Sequence, residues 1–278
     1  RGRADQLAAA GGEVADSPAA VAAACDMVCS CVTDSPDVEQ VALGERGIIA
    51  GAHTGLLYAD MSTISPRVTR QVHAKLAERS VEMLDAPVSG GQTGAINATL
   101  SIMVGGERDA FDRAQPVFAA MGKTITYCGP SGNGQLTKLC NQVTGVLNIL
   151  AVCESLTLAR KSGLDPTTML NAVGGGAAGS WMVSHLGPAI VRRDFEPGFM
   201  IDLQQKDLRL VMEAAAELNI PLPGTTIINV VTETEFFRPI RVGERLNAQE
   251  ELVSVSDEKS TRLGVGCFIR TQTSYRNQ

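Results

Sequence analysis

Short apolar runs alternate with longer segments of helical period over the first half of the chain. Each apolar run is continuous and bounded by polar or turn residues, which is typical of strands buried on both faces of a parallel sheet. The segments between them predict helices that cross from one strand to the next. The pattern therefore predicts a doubly wound parallel α/β sheet. Its predicted strands are Met27–Val32, Gly55–Ala59, Val81–Leu84, Ser101–Val104 and Thr124–Cys128, and its clearest helices are Pro66–Arg79 and Glu107–Met121.

The pattern changes after the glycine-rich loop Gly129–Gly134. Residues 135–162 form one long, apolar helical pattern, and shorter helical segments follow it. From about Val231 the helical period gives way to alternation typical of strands, in Leu246–Val255 and Gly264–Thr273. We therefore predict three parts: an α/β domain at 1–130, an all-α domain at 131–230 and a short β-rich tail at 231–278. The shorter helices are predicted at Pro166–Val173, Trp181–Val191 and Asp202–Leu218.

Composition excludes several classes of protein. A hydrophobic fraction of 44% with 19% charged residues is that of a globular chain able to fill a core. A net charge of −6 argues against a nucleic-acid partner, because such proteins are usually basic. No apolar run is expected to span a membrane, and no export signal opens the chain, so we expect a cytoplasmic protein. The seven cysteines, odd in number and set in apolar runs, indicate reduced, buried thiols. With only three histidines and no CxxC pair, no metal site is expected.

The segment Asp85–Ala95 follows a buried strand and carries the first candidate chemistry. Ser89 and the open backbone amides of Gly90 and Gly91 can converge on an anion such as a substrate carboxylate. An ordinary turn after a strand also needs glycine, and the residues alone do not decide between the two interpretations.

The second group of candidate site residues consists of Lys138, Asn141 and Gln142. Their i, i+3, i+4 spacing places them on one face of the long helix, among apolar neighbours. A lysine held there should have a partner or a shifted pKa, and it can move a proton to or from a carbonyl oxygen. The alternative is a lysine that merely extends from a core helix towards solvent. The two amides on the same face favour the catalytic interpretation.

Three further segments contain candidate site residues: Lys206-Asp207-Leu208, Val32–Pro36 and Met61–Pro66. The last two follow predicted strands, and their Ser, Thr and Pro residues are suited to cap the next helix. Ligands of doubly wound sheets also lie at this edge. Alone, Lys206-Asp207 is a solvated charged pair.

Taken together, Asp85–Leu100, Gly132–Gln142 and Lys206-Asp207-Leu208 resemble the ordered motifs of the β-hydroxyacid dehydrogenase family, from about Arg1 to Pro223. The resemblance implies a partial Rossmann-like domain followed by an all-α domain, with NAD or NADP as the cofactor. The implied substrate is a small hydroxyacid of the 3-hydroxyisobutyrate or tartronate semialdehyde/glycerate type. It implies Lys138 as the catalytic acid/base, substrate contacts from Ser89, Gly90, Gly91, Asn141 and Gln142, and cofactor contacts from Val32, Thr33, Asp34, Thr63 and Lys206.

Three features depart from the family pattern. The family's first strand and glycine-rich phosphate turn do not precede Arg1, which is similar in place to an arginine that reads a 2′-phosphate and so favours NADP. Gln142 replaces a commoner Asn, and Ala98 stands where Gly is usual. An alternative function follows from the missing start: a truncated or fused product without catalysis.

The tail from Glu235 resembles part of a MaoC-type hot-dog dehydratase module, notably in Phe237–Glu244. No histidine follows His185, so the Asp/His pair of that module is not visible and we assign the tail no activity. A thioester-handling hot-dog enzyme is the third interpretation of the chain. The long helix is apolar on more than one face, which favours a homo-oligomer or a domain contact.

Overall fold

A computed structural model describes residues 8–196, 198–220, 246–255, 259–261, 264–266 and 269–277. The chain divides into two compact units, Arg1–Ala214 and Ala215–Gln278, and each is described by itself. Arg1 and the segment Phe237–Glu244 lie outside the described residues. The predicted boundaries at residues 130 and 230 remain predictions.

The first unit is built on a six-stranded sheet in which parallel pairs dominate, as predicted. Strands β1, β2 and β3 pair in parallel in that order, and β5 pairs in parallel with β6. Strand β5 runs antiparallel to β3 and to the two-residue β4. Both of these strands pair along the same side of β5. The strands are β1 (Met27–Ser30), β2 (Leu57–Asp60), β3 (Glu82–Asp85), β4 (Val88–Ser89), β5 (Leu100–Gly105) and β6 (Gly122–Gly129).

Helices cover both faces of this sheet. Along β2, Tyr58 packs into one apolar cluster, whereas Leu57 and Ala59 pack into the other, so successive side chains serve opposite faces. In β3, Met83 and Leu84 divide in the same way. This two-sided burial explains why the strands read as continuous apolar runs and confirms the doubly wound α/β prediction. The helices are α1 (Pro18–Ala24), α2 (Ser35–Leu43), α3 (Pro66–Ala77), α4 (Gly91–Ile96) and α5 (Arg108–Ala119), with a 3₁₀ turn at Ile48–Gly51.

An all-α segment follows the sheet. Its first helix, α6, spans 29 residues and begins directly after β6. A smaller core of Val152, Leu156, Leu170 and Val183 joins α6 to the short helices beyond it. The elements are α6 (Asn133–Lys161), α7 (Pro166–Gly174), a π-helical turn (Met182–Leu186), α8 (Gly187–Arg192) and α9 (Ile201–Glu217).

Helix α6 corrects one prediction. By length and composition it is apolar enough to cross a membrane, contrary to the expectation that no segment of the chain is. Only 22% of its most apolar window is buried within the chain, and Leu147, Leu150 and Leu158 are exposed. Buried polar side chains of its first three turns contact the loop after β2 and α9. We therefore interpret α6 as a helix of a globular fold whose apolar face is exposed among the described residues.

The cysteines correct a second prediction. The six described cysteines are free thiols, but Cys25, Cys29, Cys31, Cys140 and Cys153 are exposed and Cys128 is half-buried. Among the described strands β1 pairs only with β2, so it forms an edge. The prediction of buried thiols was therefore wrong, and for Cys29 the reason is that a continuous apolar run does not reveal whether its strand is central or at an edge.

The second unit is β-rich, as the alternation predicted. Strand β7 (Leu246–Val255) pairs antiparallel with β10 (Ile269–Asn277), and β8 (Lys259–Thr261) pairs antiparallel with β9 (Gly264–Gly266). The predicted single strand Gly264–Thr273 is thus divided between β9 and β10.

Candidate active site

Two buried carboxyl groups end adjacent strands at the carboxyl edge of the sheet. Asp60 ends β2 and Asp85 ends β3, and neither is exposed to solvent. Oδ1 of Asp60 accepts a hydrogen bond from Ser30 Oγ at 3.0 Å and from the Ser62 amide at 3.2 Å. Ser62 Oγ in turn accepts from the Val32 amide at 2.8 Å. Burial raises the pKa of Asp60, and the bonds from Ser62 and Ser30 oppose that rise. Asp60 thereby holds together the loops that follow β1 and β2.

Asp85 anchors the start of α6. Its carboxylate accepts hydrogen bonds from the Gly132 amide at 2.8 Å and the Gln135 amide at 2.9 Å, which are free donors of the first helical turn. The close approach depends on glycine, because a Cβ at Gly134 would lie 2.4 Å from the Asp85 carbonyl oxygen. Burial raises the pKa of Asp85 to about 6 against the lowering effect of those amides.

Gln135 joins the same helical turn to the loop after β2. Its side chain is fully buried, and its Oε1 accepts from the Ile64 amide at 3.1 Å. Its Nε2 donates to the Ser62 carbonyl at 2.9 Å. Asp85 and Gln135 therefore fix α6 relative to two of the strand-end loops.

Lys138 lies three residues further along α6 and is 7% exposed. Burial lowers its pKa from the ordinary value of 10.5, and the cation of Lys206 lowers it further. The carboxylate of Asp207 opposes both effects. A buried lysine with a lowered pKa, under the influence of a nearby cation and a nearby carboxylate, is suited to exchange a proton with a ligand.

Helix α9 supplies that charged pair. Lys206 Nζ donates to the Thr63 carbonyl at 2.6 Å and lies 2.7 Å from Oδ1 of Asp207, which is 1% exposed. The contact with Oδ1 is an ion pair without hydrogen-bond alignment, so Oδ1 is a buried acceptor that lacks an aligned donor within the described residues. The predicted solvated pair is in fact mostly buried and links α9 to the loop after β2.

Asn141 and Gln142 share the buried face of α6 with Lys138, as their spacing predicted. Nδ2 of Asn141 donates to Oε1 of Gln142 at 2.8 Å, and Nε2 of Gln142 donates to Oδ2 of Asp207. Sequence reasoning placed these amides correctly but gave no partner for them.

Ser89, Gly90 and Gly91 connect β4 to α4. Gly90 has a φ of 134° and Gly91 a φ of 60°, which favour glycine over any residue with a Cβ. Helix α6 packs against β4, the strand that leads into this turn. Ala98 has a φ of 53°, which explains physically why glycine is usual there.

The loop after β1 carries the remaining predicted cofactor residues. Thr33 is exposed, and Asp34 caps α2 by accepting from the Ser35 amide at 2.7 Å. The Asp34 carboxylate is also paired with Arg209 of α9 at 2.6 Å, which offsets a charge that would repel a phosphate. The hydroxyls and backbone amides of these loops, with the cations Lys206 and Arg209 of α9 beside them, are donors that fit a nicotinamide dinucleotide.

Shape alone does not reveal this site. Two surface clefts, of about 330 and 530 Å³, lie at the amino ends of β1 to β3, at the opposite edge of the sheet, and neither is lined by Lys138. Sequence reasoning missed Asp60, Asp85, Gln135 and Asp207 as site residues. The sequence does contain a signal for Asp60 and Asp85, because each is a carboxyl group at the end of a predicted buried strand.

Comparisons with known proteins agree with this geometry. Residues 1–129 match the NAD binding domain of 6-phosphogluconate dehydrogenase, and residues 132–235 match the NAD-binding domain of NADP-dependent 3-hydroxyisobutyrate dehydrogenase. Residues 197–278 match the FAS1-like dehydratase domain region, which agrees with the dehydratase resemblance of the tail.

Individual relatives cover most of the chain. The 2-hydroxy-3-oxopropionate reductase of Escherichia coli K12 is 42% identical over 222 residues, which are 80% of this chain and 76% of the reductase. The structure of Mycobacterium tuberculosis 3-hydroxyisobutyrate dehydrogenase with L-serine superposes with a TM-score of 0.72 at 34% identity, covering 79% of this chain and 77% of that one. Psf3 in complex with NADP⁺ and 2-OPP gives a TM-score of 0.71 at 25% identity, covering 80% and 76%. The chain belongs to the β-hydroxyacid dehydrogenase family of NAD(P)-dependent oxidoreductases.

Proposed function

We propose that this protein interconverts a small β-hydroxyacid and its oxo acid with NAD or NADP, and that Lys138 is the acid/base. The observation that carries the proposal is the buried Lys138, with its lowered pKa, on the face of α6 whose Gln135 contacts the loop after β2 and whose Gln142 contacts Asp207. When bound, the nicotinamide cofactor exchanges a hydride with the carbon that bears the hydroxyl group. The substrates we favour are of the 3-hydroxyisobutyrate or tartronate semialdehyde/glycerate type.

In the oxidation direction, the neutral Lys138 amine removes the proton of the substrate hydroxyl group. In the reduction direction, the Lys138 ammonium donates that proton to the carbonyl oxygen. A lowered pKa increases the fraction of neutral amine near neutral pH. We therefore expect oxidation to speed up, and reduction to slow down, as pH rises through the pKa of Lys138.

We assign the substrate carboxylate to the turn formed by Ser89, Gly90 and Gly91. The positive φ angles of Gly90 and Gly91 support this role, because a glycine backbone without Cβ atoms can approach an anion closely. Asn141, half-buried on the face of Lys138, would orient the reacting oxygen.

We assign the cofactor to the loops that follow β1 and β2. Val32, Thr33 and Asp34 would line its nicotinamide half together with Thr63, and Lys206 supports the Thr63 backbone through its 2.6 Å hydrogen bond. The choice between NAD and NADP, and a cytoplasmic location, remain predictions.

The test compares the wild type with Lys138→Ala, using calorimetric titration of NADH and NADPH and turnover of 3-hydroxyisobutyrate and glycerate. We expect kcat to fall by at least about 100-fold, because general acid–base catalysis contributes that much or more. The Kd of the preferred cofactor should change by less than about twofold. Lys161→Ala, at the exposed last turn of α6, is the matched control and should retain wild-type turnover.

Two outcomes would contradict the proposal. Turnover retained in Lys138→Ala would exclude the acid/base role of that residue. A folded wild type that binds neither cofactor would instead support the alternative of a family member without catalytic activity.

A further inference from the structure

An unbroken series of polar contacts joins the substrate side of the site to the cofactor side. Asn141 donates to Gln142 at 2.8 Å, and Gln142 donates to Asp207. Asp207 pairs with Lys206 at 2.7 Å, and Lys206 donates to the Thr63 carbonyl at 2.6 Å. We call this series the amide–carboxylate relay. It connects α6 through α9 to the loop after β2.

Gln142 lies in the middle of the relay, and both ends of its amide are engaged. Its side chain is 8% exposed, so water does not easily replace either partner. The shorter side chain of the commoner Asn would draw the amide back towards α6 and away from Asp207. The Gln142 side chain thus bridges α6 and α9.

The ionised carboxylate of Asp207 determines the direction of the relay. A carboxylate only accepts hydrogen bonds, so the NH₂ group of Gln142 must face it and Oε1 must face Asn141. Asn141 must then donate with Nδ2, which leaves its second Nδ2 hydrogen as a donor and its Oδ1 as an acceptor for the substrate. The orientation of a side chain expected to contact substrate is therefore set by a carboxylate two contacts away.

The relay also affects the pKa of Lys138. The Asp207 carboxylate raises the pKa of Lys138 against the effect of burial. Gln142 and Lys206 contact opposite oxygens of that carboxylate and so hold it in place. A change at Gln142 should therefore alter both the orientation of Asn141 and the electrostatic surroundings of Lys138.

We propose that Gln142 is a positioning residue that orients the Asn141 amide and holds Asp207 beside Lys138, and that it does not itself contact the substrate. The proposal rests on the proposed function for its catalytic consequence. It refines the assignment of Gln142 as a substrate ligand, which followed from family resemblance.

The decisive variant is Gln142→Glu, which places two carboxyl groups in contact. They can form the relay's hydrogen bond only while they share a proton, so the pair titrates as a unit. We expect kcat for oxidation by this variant to fall about tenfold per pH unit above the apparent pKa of the pair, whereas wild-type oxidation should speed up as pH rises. The KM for the cofactor should stay within about twofold of the wild-type value.

The double variant Gln142→Glu, Asp207→Asn reverses the bond while keeping the net charge. The amide introduced at position 207 donates to the carboxylate introduced at position 142, which can also accept from Asn141. The amide oxygen at position 207 can accept from Lys206. We expect the steep pH limb to disappear and kcat to recover at least about tenfold at alkaline pH. The control is Gln71→Glu on the exposed face of α3, which should keep the wild-type profile.

A second measurement does not depend on turnover. In Gln142→Glu the folded state binds the shared proton more tightly than the unfolded state, so the melting temperature should fall more steeply with rising pH than that of the wild type, in which Asp85 already causes a fall. The double variant should remove the additional fall. If the wild type shows no turnover, the proposed function fails, but the melting curves still decide whether the relay exists.

Two results would overturn the proposal. One is a Gln142→Glu variant whose melting and kcat profiles follow the wild type at every pH. The other is a loss confined to the substrate KM with no rescue by Asp207→Asn, which would return Gln142 to the role of a direct substrate ligand.

Discussion

Replacing Asp85 with Asn should change the pH dependence of stability in a defined window. The Asp85 carboxyl group is fully buried, and burial raises its pKa from 3.8 to about 6. The folded protein therefore binds this proton more tightly than the unfolded chain does. The contribution to stability is complete below pH 4 and is lost as pH rises through about 6, so the free energy of unfolding should fall across this window.

The magnitude follows from the same two values. A rise in pKa from 3.8 to about 6 corresponds to about 3 kcal/mol between the two ends of the window. Asn has the same shape as Asp but does not titrate, so this loss should be absent from the variant. The Asn side chain can accept a hydrogen bond from only one of the two backbone amides, those of Gly132 and Gln135. Its NH₂ group faces the other amide, and this loss lowers the free energy of unfolding by about 1–3 kcal/mol at all pH values.

The assay is urea unfolding at a series of pH values from 4 to 8, followed by circular dichroism and by the fluorescence of Trp181, the single tryptophan. Between pH 4 and 7 the variant should gain up to about 3 kcal/mol relative to the wild type. Asp109→Asn, at an exposed position in the first turn of α5, is the control and should keep the wild-type dependence. Equal slopes for Asp85→Asn and the wild type would refute the argument from burial.

Three further predictions concern the helices and turns around the site. Ala98→Gly should raise the free energy of unfolding by about 1 kcal/mol, because Ala98 has a φ of 53°; urea unfolding measures it, and no gain would contradict the strain. Gly134→Ala should cost about 1–3 kcal/mol and lower kcat, since its Cβ would lie 2.4 Å from a backbone oxygen. The control Gly145→Ala meets only a side chain at 3.5 Å, and equal losses in both variants would disprove the steric reason. If exposed Leu147 and Leu150 mediate self-association, light scattering should give a mass above 29.2 kDa for the wild type, and changing both to Glu should give a monomer.

Much of the fold could be predicted because burial leaves a periodic trace in the chain. Continuous apolar runs such as Leu56–Ala59 appear where both faces of a strand are covered, and Leu57 and Tyr58 do serve opposite faces. The spacing of Lys138, Asn141 and Gln142 likewise placed them on one helical face before any partner was known. Both are local signals, carried by residues within a few positions of one another.

The rest of the site could not be read in this way, because its contacts join residues far apart in the chain. Asp85 bonds to the amide of Gln135, fifty residues later, and Gln142 bonds to Asp207, sixty-five residues later. Nothing in the local pattern around these residues specifies such a partner. The exposure of Cys29 was mispredicted for a related reason, since the position of β1 in the strand order is decided by pairing and not by its own apolar run.

The sequence by itself determined the class of fold, the helix that carries Lys138 and the family to which the chain belongs. These follow from hydrophobic period and from ordered motifs, both of which are local properties of the chain. Only the tertiary structure decided which groups the motif residues contact. It buried Asp60, Asp85 and Asp207 beside donors from other elements, and in doing so set the direction of their hydrogen bonds and the shift in the pKa of Lys138. The physical reason is that desolvation and electrostatic interaction depend on distance in space, which the order of residues along the chain does not specify.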